Sequence, residues 1–291
     1  MQDFLSSLVN VAFHGIAYGM ILYLISVGLS VTMGLMGFAN LAHGVFAMAG
    51  GYMMLSAMSG LDVPFPLAIV GAFVAVALAS MVLERFLYSR LYSAGELEQV
   101  LFTIGLIFMS VALARLVYGP LPQPVFIPGY LKGQIHLLGS GFPAYRVFLI
   151  VFSVALAGLL WFGVERTRWG AMVRATVDYR LMAQSLGINT ARLFTLTFGL
   201  GSGLAALGGA LGAEIIAVQP TYPFEHLVYF LIVVAVGGLG SLRGPFVAAL
   251  LIGVFDTACK YWVPEFGSFF IYVATIAVLL WRPEGLFGKT T

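Results

Sequence analysis

The stretch Arg174-Ala-Thr-Val-Asp178-Tyr-Arg180-Leu-Met-Ala183-Gln-Ser-Leu-Gly187-Ile-Asn189 is a polar, helix-forming island between two strongly apolar segments. Its surroundings decide the fold. Of 291 residues, 61% are hydrophobic and only 9% charged, with a mean hydropathy of +1.01. Soluble domains carry about 25% charged residues, so the sequence predicts an integral membrane protein. The expected fold is an all-α, polytopic transmembrane helical bundle, with the island as a helix outside the bilayer.

Outward from the island, hydropathy predicts helices at roughly 8–33, 41–60, 64–88, 98–118, 143–163, 191–213, 225–238, 245–263 and 267–282, each near the ~20 residues a span needs. The expectation is thus eight or nine helices in a single domain, residues 1–291. No polar stretch is long enough to bury a core of its own, and Met1-Gln2-Asp3-Phe4 lacks the basic region of a cleavable signal peptide. With strict alternation, Arg85, Arg90, Arg166, Arg168, Arg174, Arg180, Arg192, Arg243, Arg282 and Lys289 fall on one side. Lys and Arg mark the cytoplasmic face, so the N-terminus is expected outside and the C-terminus inside. Two Gly clusters, around Gly34–Gly44 and Gly237–Pro245, interrupt one helix pair in each half. Paired interruptions point to an internal repeat around a central site, while Gly-rich turns are also common in membrane bundles.

Within residues 171–189, Val173, Val177, Leu181 and Leu186 recur at near-helical spacing, with Arg174, Asp178 and Gln184 on another face. Arg174 and Asp178 stand at the i,i+4 spacing of a weak ion pair. Gly187 is placed for a left-handed C-cap, and Asn189 or Thr190 can cap the next helix. The segment reads as one stiff rod about 24 Å long. Either a soluble partner grips it and moves the following span, or it lies amphipathically on the headgroups.

Three motifs in order carry a resemblance: Gly28-Leu-Ser-Val-Thr-Met-Gly34-Leu-Met-Gly37-Phe-Ala-Asn40-Leu-Ala-His43-Gly44, then Arg174 to Asn189, then Leu196-Thr197-Phe198 followed by Gly237-Gly238-Leu-Gly240-Ser241. From about residue 8 to the closing Pro283-Glu284-Gly285-Leu286-Phe287-Gly288, the chain resembles the shorter, H-type permease of branched-chain amino-acid-type ABC importers. The resemblance implies four kinds of partner: a second homologous permease, two cytoplasmic ATPase subunits, a periplasmic substrate-binding protein and the lipid of a bacterial inner membrane. It favours the rod as the ATPase-coupling segment, with Ala183 and Gly187 as its Ala-x-x-x-Gly core. The Glu that usually opens this loop is Leu181 here, which leaves Arg174, Asp178 and Arg180 as the polar contacts and Asn189 as the cap.

Polar groups inside spans are costly and invite a functional reading. Candidates for the substrate path are Asn40 and His43 in the first interruption, Gly50, Gly51 and Gly105, and Thr103. Each has a structural reading too. Asn40 and His43 can satisfy broken backbone, the glycines can admit close helix packing, and Thr103 can bond its own helix. Asp256 and Lys260 read as an i,i+4 structural pair, and Glu214 as an outer-face residue open to the binding protein.

No chemistry is suggested. Four His form no metal cluster, the single Cys259 excludes an internal disulfide, and no catalytic grouping, cofactor, metal or nucleic-acid site is expected. Gly288-Lys289-Thr290 resembles the end of a phosphate loop, but Pro283 stands where its first Gly is required. That tail reads as a solvated end, with ATP bound by another subunit. The rival to the importer reading is a stand-alone secondary transporter or channel using the two interrupted helices.

Overall fold

A computed structural model describes residues 2–38, 40–125, 127–137 and 140–288. Lys289 and Thr290 of the tail motif and Ala39 of the first motif lie outside the described residues. The chain is built from α1 (Gln2–Met36), α2 (His43–Gly60), α3 (Phe65–Phe86), α4 (Glu96–Tyr118), α5 (Ala144–Arg166), α6 (Arg168–Asp178), α7 (Arg180–Ser185), α8 (Thr190–Gly212), α9 (Tyr222–Gly237), α10 (Arg243–Trp262) and α11 (Gly267–Trp281). All nine expected apolar helices are present. Six of them, α1, α3, α4, α5, α8 and α10, are long and apolar enough to cross a bilayer. The sequence did not announce the small hairpin between α4 and α5, where β1 (Gln134–Leu137) pairs antiparallel with β2 (Ser140–Pro143), Ile135 opposite Phe142.

At the centre, α1 and α8 are buried over 78% and 83% of their apolar windows, against 22% for α4 and 11% for α5. Small residues make this possible. A Cβ at Gly28 would sit 2.2 Å from the Gly201 carbonyl oxygen, and one at Gly209 only 1.9 Å from that of Ala47. At those crossings α1 and α2 touch α8 backbone to backbone, the arrangement that replaces hydrophobic driving force inside lipid.

Both interruptions are shorter than the Gly clusters suggested: α1 continues as helix through Gly34 to Met36, and α9 runs through Gly237 with α10 starting at Arg243. The second lies against α1. Ser30 Oγ donates to the Ser241 carbonyl (3.1 Å) and the Gly240 N–H donates to that of Ser30 (3.2 Å). Just ahead of Gly288, the chain also folds onto this turn: Leu286 N–H donates to the Val236 carbonyl (2.7 Å) and Phe287 N–H to that of Gly237 (3.2 Å). The last carbonyls of α9 have no partners within their own helix, and the tail supplies them.

The largest correction concerns the polar island. It is not one rod. α6 and α7 are separate helices, about 16 Å and 9 Å long, broken at Tyr179 (φ −146°, ψ 87°). The break lets each helix turn its own small or branched residue inward. Val173 packs with Leu35, Leu193 and Phe194, and Ala183 is buried on α7. A single straight stripe from Val173 to Leu186 is not formed, and Leu181 and Leu186 are exposed.

Candidate coupling segment and transport path

Residues 168–189 are fixed at both ends. At the start, Thr167 Oγ1 caps α6 by accepting from the Gly170 N–H (3.1 Å), and the Arg174 guanidinium donates to the Val164 carbonyl at the end of α5. Arg174 is thereby tied to a neighbouring span. At the far end, Gly187 takes φ +83°, its N–H donating to the Gln184 carbonyl (2.9 Å), as the left-handed cap expected of it. Asn189, not Thr190, caps α8: its Oδ1 accepts from the Arg192 N–H (3.0 Å). Thr190 Oγ1 instead accepts from Gln184 Nε2 (2.9 Å), and the Ile188 N–H donates to the Ala183 carbonyl (3.1 Å). The four-residue link, 186–189, is therefore bonded at both ends, joining α7 to α8.

Arg180 lies with its guanidinium 4.7 Å from the centre of the Phe194 ring on α8. Around it, Tyr179, Leu181, Met182 and Leu186 are 71%, 80%, 64% and 76% exposed. Asp178 closes α6 and lines, with Arg174, Trp161, Glu165, Ser241 and Arg243, a cavity of about 1270 Å³ at the Arg-rich end of the bundle. Across it Arg243 pairs with Glu165 (2.7 Å) and lies over the Trp161 ring (4.9 Å).

The path candidates occupy different settings. Asn40 is buried, its Oδ1 accepting from the Ala42 N–H and the Tyr88 hydroxyl, each at 3.1 Å, while its Nδ2 has no partner among the described residues. His43, at the start of α2, is buried and its Nε2–H donates to the Ile25 carbonyl (2.9 Å), which fixes the tautomer. Gly50 meets the Ala206 backbone and Gly51 the Val218 side chain. Thr103 bonds the Val100 carbonyl of its own helix (3.0 Å). Gly105 does not mediate close packing: it is exposed, with nothing within 4 Å of where a Cβ would lie. None of these six residues lines the Arg-rich cavity.

At the opposite end, Glu214 pairs with Arg146 (3.4 Å), which also donates to His14 Nδ1 (2.7 Å), so it is engaged within the fold and not open to solvent alone. Asp256 and Lys260 form the expected pair (2.6 Å). Missed from sequence was Glu84, a buried carboxylate on α3 accepting from Tyr92 OH (2.5 Å) and Thr195 Oγ1 (2.6 Å). Burial pushes the Tyr92 phenol well up, the bond to Glu84 adds to this and Arg180 opposes it, so Tyr92 stays a hydroxyl donor. The only sequence signal was an acid set inside an apolar window.

Among the described residues, nine apolar helices, twice interrupted and with a short helix pair bonded to α8 at one end, form an all-α polytopic membrane bundle. A family model described as "Branched-chain amino acid transport system / permease component" matches residues 11–279, and the chain belongs to that family. It is 30% identical over 294 residues to the high-affinity branched-chain amino acid transport system permease protein LivH of Salmonella typhimurium, covering 95% of this chain and 94% of that one. It is also 30% identical to the corresponding permease BraD of Pseudomonas aeruginosa, over 99% and 97% of the two chains. A shorter match, 31% identical over 44% of this chain and 37% of the relative, is to the fructose import permease FrcC of Rhizobium meliloti. No solved structure matches.

Proposed function

We propose that this chain forms one half of the translocation path of an ATP-driven ABC importer for branched-chain amino acids or related small polar organic solutes. A periplasmic binding protein delivers the solute, a second homologous permease completes the path, and two cytoplasmic ATPase subunits power it, their motion entering this chain through residues 171–189. The N-terminus is periplasmic and the C-terminus cytoplasmic, in the inner membrane, and the whole chain acts as one domain. The observation that carries this reading is the exposed cluster Tyr179, Leu181, Met182 and Leu186 around Arg180, on a segment clamped to α8. Contiguous apolar side chains rimmed by polar ones mark a protein-docking surface. Ala183 and Gly187 set the segment's shape, and Asp178 and Arg174 border the cavity beside it. Asn40, His43, Gly50, Gly51, Thr103 and Gly105 belong to the path once it opens, Asn40 with a free amide to offer.

The test is Gly187→Pro and Arg174→Glu in the assembled complex. Proline cannot adopt φ +83° and lacks the N–H that Gln184 receives. Both variants should insert while ATP hydrolysis separates from uptake. Unchanged transport in both removes the assignment. Uptake by the lone chain on an ion gradient, without ATPase subunits, would instead establish the secondary transporter.

A further inference from the structure

Glu84 is 2% exposed and sits in the last turn of α3, where the helix dipole disfavours negative charge. Among the described residues, two neutral hydroxyls from other parts of the chain donate to it: Tyr92 in the turn between α3 and α4, and Thr195 in the second turn of α8. A buried carboxylate held in this way is a costly means of stabilising a fold, since an uncharged residue of like shape avoids the desolvation. Its position suggests what it serves.

From Glu84, contacts run both ways. Toward the coupling segment, the Tyr92 ring meets Phe194 edge-on at 5.6 Å, and Phe194 carries the Arg180 guanidinium of α7 at 4.7 Å. Toward the first interruption, the Tyr92 hydroxyl reaches Met36 Sδ (3.5 Å) and its ring lies 6.1 Å from Phe38. Phe38 packs on Tyr88 (5.3 Å), whose hydroxyl donates to Asn40 Oδ1. Aromatic and hydrogen-bonded contacts thus join Arg180 to Asn40, with the α3–α4 turn in the middle. Glu84 adds a hydrogen-bonded link between this turn and α8 to the ring contacts of Tyr92 with Phe194 and Tyr88 with Phe198.

We propose that Glu84 is a positioning residue of the transport cycle: by tying the α3–α4 turn to α8, it makes that turn follow the coupling segment and carry its displacement to the interruption at Asn40. This rests on the ATPase-docking reading given above. Without the tie, α8 still moves with α7, but Tyr88 and Tyr92 are held to it by ring packing on Phe198 and Phe194 alone and follow it less closely, so hydrolysis reshapes the interruption less.

The experiment uses the complete importer in proteoliposomes, measuring radiolabelled L-leucine taken up per ATP hydrolysed. Glu84→Gln and Thr195→Val should assemble and melt within roughly 2 °C of wild type yet move about fivefold less leucine per ATP or worse, the low end of ordinary coupling between sites. Thr195→Ser, which keeps the hydroxyl, should restore the ratio. A wild-type ratio in Glu84→Gln and Thr195→Val overturns the proposal alone. So does a loss of uptake that merely follows loss of assembled complex, or a failure of Thr195→Ser to recover. A wild-type complex without nucleotide-dependent leucine uptake overturns the underlying reading, and this inference with it.

Discussion

Replacing Gly209 by alanine tests whether the bundle is held by backbone contact. The new methyl would lie 1.9 Å from the Ala47 carbonyl oxygen, which is main chain and cannot rotate away. Restoring ordinary contact requires α2 and α8 to part by about 1.5 Å. Overpacking of this kind costs about 1–3 kcal/mol. For a chain of this size that is a fall of roughly 2–5 °C in unfolding temperature. Gly105→Ala is the matched control, on an exposed face with nothing within 4 Å. There alanine's better helix propensity contributes about 0.5–1 kcal/mol in the opposite direction. Intrinsic fluorescence of detergent-solubilised protein during heating reads both. Gly209→Ala melting at or above wild type, or no lower than Gly105→Ala, refutes the packing argument.

Three further outcomes follow from the polar groups. Lys260→Met should destabilise more than Asp256→Asn, because it leaves the buried Asp256 carboxylate without its cation, whereas Lys260 is half exposed; the double apolar variant Asp256→Leu/Lys260→Met should melt above Lys260→Met, and the reverse order in a thermal scan would contradict this. Charge reversal at Glu214→Arg should impair folding yield through repulsion with Arg146, and adding Arg146→Glu should recover part of it; equal yields of single and double variants by size-exclusion chromatography would show the pair to be idle. Asn40→Leu removes the acceptor of the Ala42 N–H and the Tyr88 hydroxyl and should cost about 2–4 kcal/mol, read as lower thermal stability with Tyr88→Phe milder; equal melting of the two would place Asn40 outside the support of the interruption.

Much of this architecture was legible because lipid imposes a simple rule: every span must be apolar over its length, so all nine apolar helices were visible in hydropathy. Local caps were equally readable, since Gly187 and Asn189 act on neighbours one to three residues away. What sequence hid was whatever depends on distant partners. The bend at Tyr179 arises because Val173 and Ala183 are both buried, a condition set by where the bundle lies around them. The docking of Leu286 and Phe287 on α9 was hidden too, because nothing local in the sequence shows that the last carbonyls of α9 need donors. Glu84 was passed over as one more acid near a helix end; Tyr92 and Thr195 are 8 and 111 positions away.

The contrast between the deeply enclosed α1 and α8 and the outlying α4 and α5 gives the chain two alphabets. Inside, tolerance is governed by fit: at crossings such as Gly28 and Gly209 even one added methyl is refused. Outside, it is governed by solubility in hydrocarbon, so leucine, valine and phenylalanine interchange freely while any charge is refused. Lineages of this permease can therefore drift rapidly along the periphery, adjusting to membranes of different thickness, while the axis stays nearly frozen.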